Sequence, residues 1–281
     1  MTDQIRSIQL AELNIMKQIL PIIEKYHLRY YMLGGTLLGA VRHQGFIPWD
    51  DDMDIGMPRP DYEFFLQVAE RELQSPYQIH TLHNHTGEYA YYYARIEDCR
   101  IKVKRSLTAR EVVIPIWLDV FPLDGVPEGE KAFQKWKRKC ERYRFLFAAS
   151  QFEYSFNVDK TKRERNQTFV ILTKKAIVKT QAYRLINTEW AWKCLDKALK
   201  TSDYEASERI INYCGAWKFK EMFPKSVYGK GRLYPFEDMM LIGPEDYDTV
   251  LKQMYGDYMT PPPENAREHH FIELLEKDSC R

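Results

Sequence analysis

Four aspartates fall within five residues in the stretch Trp49-Asp50-Asp51-Asp52-Met53-Asp54-Ile55. On a strand, alternate side chains share a face, so Asp52 and Asp54 project together while Met53 and Ile55 turn toward a core. Two carboxylates held that close repel each other unless a cation lies between them. Hard oxygen donors favour Mg²⁺ or Mn²⁺, ions that keep bound water and bridge to substrate phosphates. Taken alone, the pair is more readily read as an acidic turn that caps a strand. Asp51 adjoins the pair and joins it as a candidate substrate contact.

Two flanking segments add to this cluster. Upstream, Met32-Leu33-Gly34-Gly35-Thr36 reads as a strand running into a double glycine and a hydroxyl residue. Glycines let backbone N–H groups approach a phosphate, and the N-terminus of a following helix adds a favourable dipole. Gly34, Gly35 and Gly39 do not make the GxGxxG spacing of a dinucleotide fold. Downstream, Ile116-Trp117-Leu118-Asp119-Val120-Phe121 sets one carboxylate inside an otherwise apolar strand. Burying Asp119 is costly without a metal or an arginine partner, and the sequence leaves both open. Arg42, His43 and Arg95 are candidate phosphate contacts, with surface ion pairs as the other reading.

The elements needed to carry these groups are legible in the apolar spacing. Ile5, Ile8, Leu10, Leu13, Met16, Leu20 and Ile23 predict an opening amphipathic helix, with a kink at Pro21. A short strand over 29–33, a helix over 36–42, a strand over 53–57 and a helix from Pro60 to about Leu73 follow. Residues 77–82, 89–97, 101–105 and 112–121 read as extended. From 128 to about 200 the pattern is mostly helical. A short helix is predicted over 203–215, loop and strand over 228–242, and a helix over 244–255 closed by Gly256. A last short helix is predicted over about 264–276, after the Pro261–Pro263 run. The fold class is therefore α/β in the broad sense (α+β): a mixed-sheet core with a helical, basic insertion and C-terminal helices. The chain reads as a single domain over 1–281, with a core at 1–126, the insertion at 127–215 and a return to the core at 216–281.

At 281 residues, with 44% hydrophobic and 29% charged residues, the chain is neither a disordered tail nor a disulfide-stapled miniprotein. No apolar run is long enough to cross a bilayer, and the N-terminus lacks a signal-peptide apolar core. Five scattered cysteines without a CxxC spacing point to a reduced, cytoplasmic protein with no structural zinc. The net charge of +1 hides a pattern. Residues 1–126 hold 13 basic against 17 acidic groups, net −4; residues 127–184 hold 15 against 6, net +9; the remainder is net −4. Solvated helix faces explain the basic block, and so does a phosphate-rich or anionic membrane partner.

The order strand–Gly-Gly-Thr, Asp-x-Asp strand, single-Asp strand resembles the metal site of the DNA polymerase beta-like nucleotidyltransferase superfamily. At full motif length, GGTLLGAVRHQGFIPWDDDMDIGMPRPDYEFF resembles the signature of the LicD family, related to the fukutin proteins. The likeness continues in WLDVFPLDG (117–125), PFED (235–238) and YGDYMTPPPENAREHH (255–270). It implies transfer of a phosphorylated alcohol from a CDP-activated donor to a sugar hydroxyl, with CMP leaving. Bacterial members are known for moving phosphorylcholine from CDP-choline to teichoic acid precursors or lipooligosaccharide; fukutin relatives use CDP-ribitol. CDP-glycerol and CDP-ethanolamine are further donor types, and an inactive glycan-binding or lipid-carrier scaffold is the reading from another class. On this resemblance Asp52, Asp54 and Asp119 are the catalytic carboxylates and hold Mg²⁺ or Mn²⁺, and Asp119 takes the acceptor proton. Gly34, Gly35 and Thr36 cradle the diphosphate.

Other signals stay secondary. Tyr91 and Tyr93, in a run of tyrosines, could cage a quaternary ammonium or simply pack in a strand core. His80, His83 and His85 lack a Cys or acidic partner at ligand spacing, so zinc is not indicated. The aromatic-laced basic segment Lys135–Arg144 is an unlikely nucleic-acid site. The family's acceptors, glycans on a lipid carrier, favour peripheral contact with an anionic membrane at its cytoplasmic face through 131–184.

Overall fold

A computed structural model describes residues 2–81, 91–105, 112–151, 180, 182–263 and 272–275. The opening helix α1 spans Thr2–Lys25 and runs through Pro21 without a break. Ile8, Ile15, Met16, Ile19 and Ile23 recur at helical spacing and are buried, each contributing about 1.5–3 kcal/mol. Leu10, expected on that stripe, is 43% exposed. At 3.6 residues per turn it lies about 200° round the helix from Ile8.

Next come β1 (Tyr31–Met32), α2 (Gly34–His43), β2 (Asp54–Pro58), α3 (Arg59–Glu72), β3 (Tyr77–His80), β4 (Ala94–Arg105) and β5 (Val112–Gly125). α4 (Glu130–Ser150) and α5 (Thr188–Leu199) follow, then β6 (Arg209–Ile211), β7 (Met222–Pro224), α6 (Lys225–Tyr228), the hairpin β8 (Arg232–Phe236) and β9 (Met239–Gly243), α7 (Tyr247–Tyr255) and β10 (Ile272–Leu274). The main sheet has the path β1-β2-β5-β4-β10, with β3 on β4 and β6–β7 continuing from the end of β5. Among the described residues only β2 and β5 run parallel; every other described pair is antiparallel. The architecture is the mixed α/β one that the spacing predicts.

Three readings differ from expectation. Residues 203–215 form a turn and β6 instead of a helix. Asp203 accepts the Ala206 N–H through Oδ1 (2.9 Å) and the Ser207 hydroxyl through its carbonyl (2.7 Å). These bonds close a turn, and the β-branched Ile210–Ile211 pair then completes the ladder from β5 to β7. At the C-terminus, Ile272–Leu274 is a strand along the edge of β4, not a helix. The predicted helix otherwise falls on residues 264–271 and 276, which lie outside the described residues. Residues 101–105 are not a separate strand but the continuation of β4 beyond an irregularity between Asp98 and Lys102.

The described part of the basic insertion is anchored to the core. Trp136 of α4 is buried and donates its indole N–H to the Ala198 carbonyl at the end of α5 (2.9 Å). Arg144 donates to the Tyr213 and Gly215 carbonyls, and the Lys137 ammonium lies 4.9 Å from the Phe219 ring centroid. These two cations are therefore structural. Lys131, Lys135, Arg138, Lys139 and Arg142 remain on the exposed side of α4.

Candidate active site

The parallel pairing of β2 with β5 sets Asp54 directly opposite Asp119. The ladder extends one residue further, because the Asp119 N–H donates to the Met53 carbonyl (3.0 Å). On the other side the Asp54 carbonyl accepts the Leu33 N–H (3.1 Å), and the Asp54 N–H donates to Thr36 Oγ1 (2.8 Å). Residue 54 is thus pinned by a neighbouring strand on each side and by the first turn of α2. Thr36, expected as a hydroxyl donor to phosphate, is 4% exposed and its oxygen serves this bond.

The two glycines at the head of α2 meet different constraints, one of backbone conformation and one of close contact. Gly34 has φ +48°, where an L side chain is strained, and a Cβ there would lie 3.6 Å from Asp54 Oδ2 and 3.8 Å from the Tyr255 hydroxyl. A Cβ on Gly35 would overlap Asp50 Oδ2. The acidic loop therefore packs against the helix N-terminus, where exposed N–H groups and the dipole favour negative charge.

Asp119 has the arginine partner that the sequence left open. Arg95 sits on β4 in register with Asp119, is 2% exposed, and donates from Nε to Asp119 Oδ1 (2.7 Å). Its guanidinium carbon stands 3.4 Å from the Tyr91 ring centroid and 4.2 Å from that of Trp117, and among the described residues Nη1 has no hydrogen-bond partner. The Tyr91 face proposed for a choline cation thus carries this arginine. The Tyr93 hydroxyl is 3.4 Å from Asp119 Oδ2. Arg42 donates to the Tyr258 carbonyl (2.7 Å) and to His43 (2.9 Å), and faces Trp49. Burial lowers the Arg42 pKa, opposed by Tyr255 and Asp50. Burial and then Arg42 lower that of His43. Asp51 is buried. His80 stands 3.3 Å from Glu97, while His83, His85, His269 and His270 lie outside the described residues.

The electrostatics are those of crowded acids. Burial, followed by the charges of Asp52, Asp119 and Asp50, raises the Asp54 pKa well above the carboxylate range. Burial also raises that of Asp119, against the pull of Arg95. Tyr255, near the end of α7, is pushed up by burial and by Asp50, Asp54 and Asp52. Tyr255 and Asp50, beside Gly34 and Gly35, and Glu12 of α1, on which the charges of the same acids bear, are residues that sequence reasoning did not select. Tyr255 and Asp50 were visible inside the quoted motifs; Glu12 was hidden in a helical stripe.

This donor set fits a hard divalent cation. Asp54, whose pKa burial and the neighbouring acids raise, together with Asp52 and Oδ2 of Asp119, offers oxygen donors of the type such an ion takes. Among the described residues, no three His, Cys, Asp or Glu side chains stand close enough to hold a metal ion by themselves. Mg²⁺ characteristically takes one or two carboxylates together with substrate phosphates and water.

Residues 27–145 match the LicD/FKTN/FKRP nucleotidyltransferase domain, a span running from before β1 into α4. The chain is also 30% identical over 272 residues to the lipopolysaccharide cholinephosphotransferase LicD of Haemophilus influenzae, covering 96% of each chain. The chain belongs to the LicD family. A 41-residue stretch is 44% identical to the ribitol 5-phosphate transferase FKRP of Homo sapiens and of Mus musculus, covering 15% of this chain and 8% of theirs. Within this LicD-family chain, the PFED motif has a holding task. Glu237 pairs with Arg6 of α1 (2.6 Å) and its backbone N–H donates to the Gln44 carbonyl (2.8 Å), while Asp238 pairs with Lys17 (2.5 Å).

Proposed function

We propose that this LicD-family chain transfers phosphorylcholine from CDP-choline to a hydroxyl of a cell-surface glycan precursor of teichoic acid or lipooligosaccharide type, releasing CMP. It is a phosphotransferase, and its family's chemistry is phosphoalcohol transfer to glycan. The observation that carries the reading is Asp54 opposite Asp119 at the head of α2, in a chain similar to LicD along nearly its whole length.

The new bond joins the acceptor oxygen to the distal phosphorus of the donor. The bond from that phosphorus to the bridging oxygen breaks, and CMP leaves with the bonding electrons. Asp119 accepts the acceptor hydroxyl proton through Oδ2, because Oδ1 is held by Arg95. The Arg95 bond fixes the carboxylate's orientation, and the Tyr93 hydroxyl supports the same oxygen. Backbone N–H groups at Gly34 and Gly35 receive diphosphate oxygens, with Arg42, His43 and Asp51 lining the approach. Mg²⁺ or Mn²⁺, held by Asp52 and Asp54 together with substrate phosphates and water, would neutralise charge developing on the phosphates.

The test is CMP release from CDP-choline, CDP-ribitol, CDP-glycerol and CDP-ethanolamine in parallel, with Mg²⁺ and an amino-sugar-containing glycan acceptor. Turnover confined to CDP-choline supports the reading. The short likeness to FKRP favours CDP-ribitol as the second donor. Silence with all four, together with absent metal binding, returns the chain to a scaffold.

Among the described residues no helix is long and apolar enough to cross a membrane. Peripheral contact with an anionic cytoplasmic leaflet is assigned to the exposed cations of α4, next to Phe145, which is 71% exposed. Replacing Lys135, Arg138 and Lys139 together by Gln should weaken sedimentation with anionic vesicles while leaving melting temperature unchanged; unaltered sedimentation discards the membrane reading.

A further inference from the structure

Glu12 lies in the middle of α1, 0% exposed, and among the described residues neither of its carboxylate oxygens has a hydrogen-bond partner. Its helix neighbours Ile8, Ile15, Met16 and Ile19 are apolar and equally buried. An aliphatic side chain would serve that packing without the desolvation penalty of a carboxyl. One turn earlier, Gln9 is also buried and donates its amide to the carbonyls of Ile47 (3.1 Å) and Asp50 (2.9 Å). Gln9 and Glu12 are three residues apart and share a helix face, so Glu12 follows Gln9 toward the acidic loop. The charges acting most strongly on Glu12 are Asp52, Asp51, Asp50 and Asp119. A carboxyl kept for stability would be met by a cation or an amide, and among the described residues Glu12 has neither as a hydrogen-bond partner.

We propose that Glu12 is a positioning residue of the divalent-cation centre, acting through hydrogen-bonded water and not by direct ligation. The inference rests on the metal reading of Asp52 and Asp54. Both oxygens of Glu12 are acceptors without donors, and water on a hard cation is a strong donor in need of acceptors. Glu12 would orient the cation's water, and thereby the loop 50–54.

The experiment measures Mn²⁺ binding to the full chain by electron paramagnetic resonance at pH 7.5, with melting temperature recorded with and without the ion. Glu12→Gln and Glu12→Met are compared with the parent protein. Both variants should melt higher than the parent without metal, because an unpaired buried carboxyl is gone. Both should bind Mn²⁺ about tenfold to a hundredfold more weakly, the usual effect of losing an outer-shell partner. Variants that bind Mn²⁺ as tightly as the parent overturn the role of Glu12 alone. So would variants whose metal-free melting temperature falls, since Glu12 would then be serving the core. A parent protein that binds no Mn²⁺ overturns the metal centre and this inference together.

Discussion

Asp54 has a fixed backbone and a crowded carboxylate, and the two properties separate its structural part from its chemical one. Its backbone bonds to Leu33 and Thr36 survive Asp54→Asn, while the negative charge does not. That variant should fold, melt at or above the parent temperature without metal, and release CMP about a thousandfold more slowly, the several kcal/mol a bound cation contributes. Retained turnover would remove Asp54 from the metal site. Gly35→Ala tests the opposite wall. The added methyl overlaps Asp50 Oδ2, the free end of a side chain that can swing aside. Melting temperature should therefore change by only a few degrees while kcat/KM drops at least tenfold; an unchanged kcat/KM would show that Asp50 and the head of α2 need not touch.

Among the elements, the β2–β5 pair brings the acids together and α1 holds their loop from below, through Gln9 and through Arg6 and Lys17 to the β8–β9 hairpin. α4 is fastened separately. Trp136→Ala removes a buried ring and its bond to the Ala198 carbonyl. Loss of such a residue costs about 3–5 kcal/mol, to be read as a lower urea midpoint. If α4 carries only membrane contact, CMP release from a soluble acceptor should persist below the transition. Parallel loss of activity and midpoint would tie α4 to the site.

Across the whole molecule, several carboxyls are buried with raised pKa, and their protons are linked to stability. Glu221 is pushed up to about 7 by burial, against bonds from the Trp217 N–H (3.0 Å) and Asn212 Nδ2 (2.7 Å). The folded state holds a proton there that the unfolded chain releases near pH 4.5. Its contribution is therefore most favourable below that value and is lost as pH rises toward 7. The loss is on the order of 3 kcal/mol. Glu221→Gln should flatten stability against pH across this window, measured by urea midpoints from pH 4.5 to 8. A slope identical to that of the parent would mean that Glu221 is already ionised in the folded protein at the acid end.

Much of the site was legible as composition and spacing. The Asp-x-Asp alternation, the double glycine and the lone aspartate of an apolar strand are local patterns, and local sterics and strand periodicity suffice to orient them. Helices α1, α2, α3 and α7 were legible for the same reason. Tertiary structure decided the rest. It chose Arg95 as the partner of Asp119 and set it against the faces of Tyr91 and Trp117, because strand register is a relation between distant segments. Residues 209–211 and 272–274 became strands because β5 and β4 offered open edges, which no short window contains. Asp50, Tyr255 and Glu12 reached the site through packing: Asp50 against Gly35, Tyr255 over Gly34, and Glu12 through a helix whose apolar stripe gave no sign that one buried position held a charge. Periodicity records which face of an element is buried; only the assembled fold determines what that face meets.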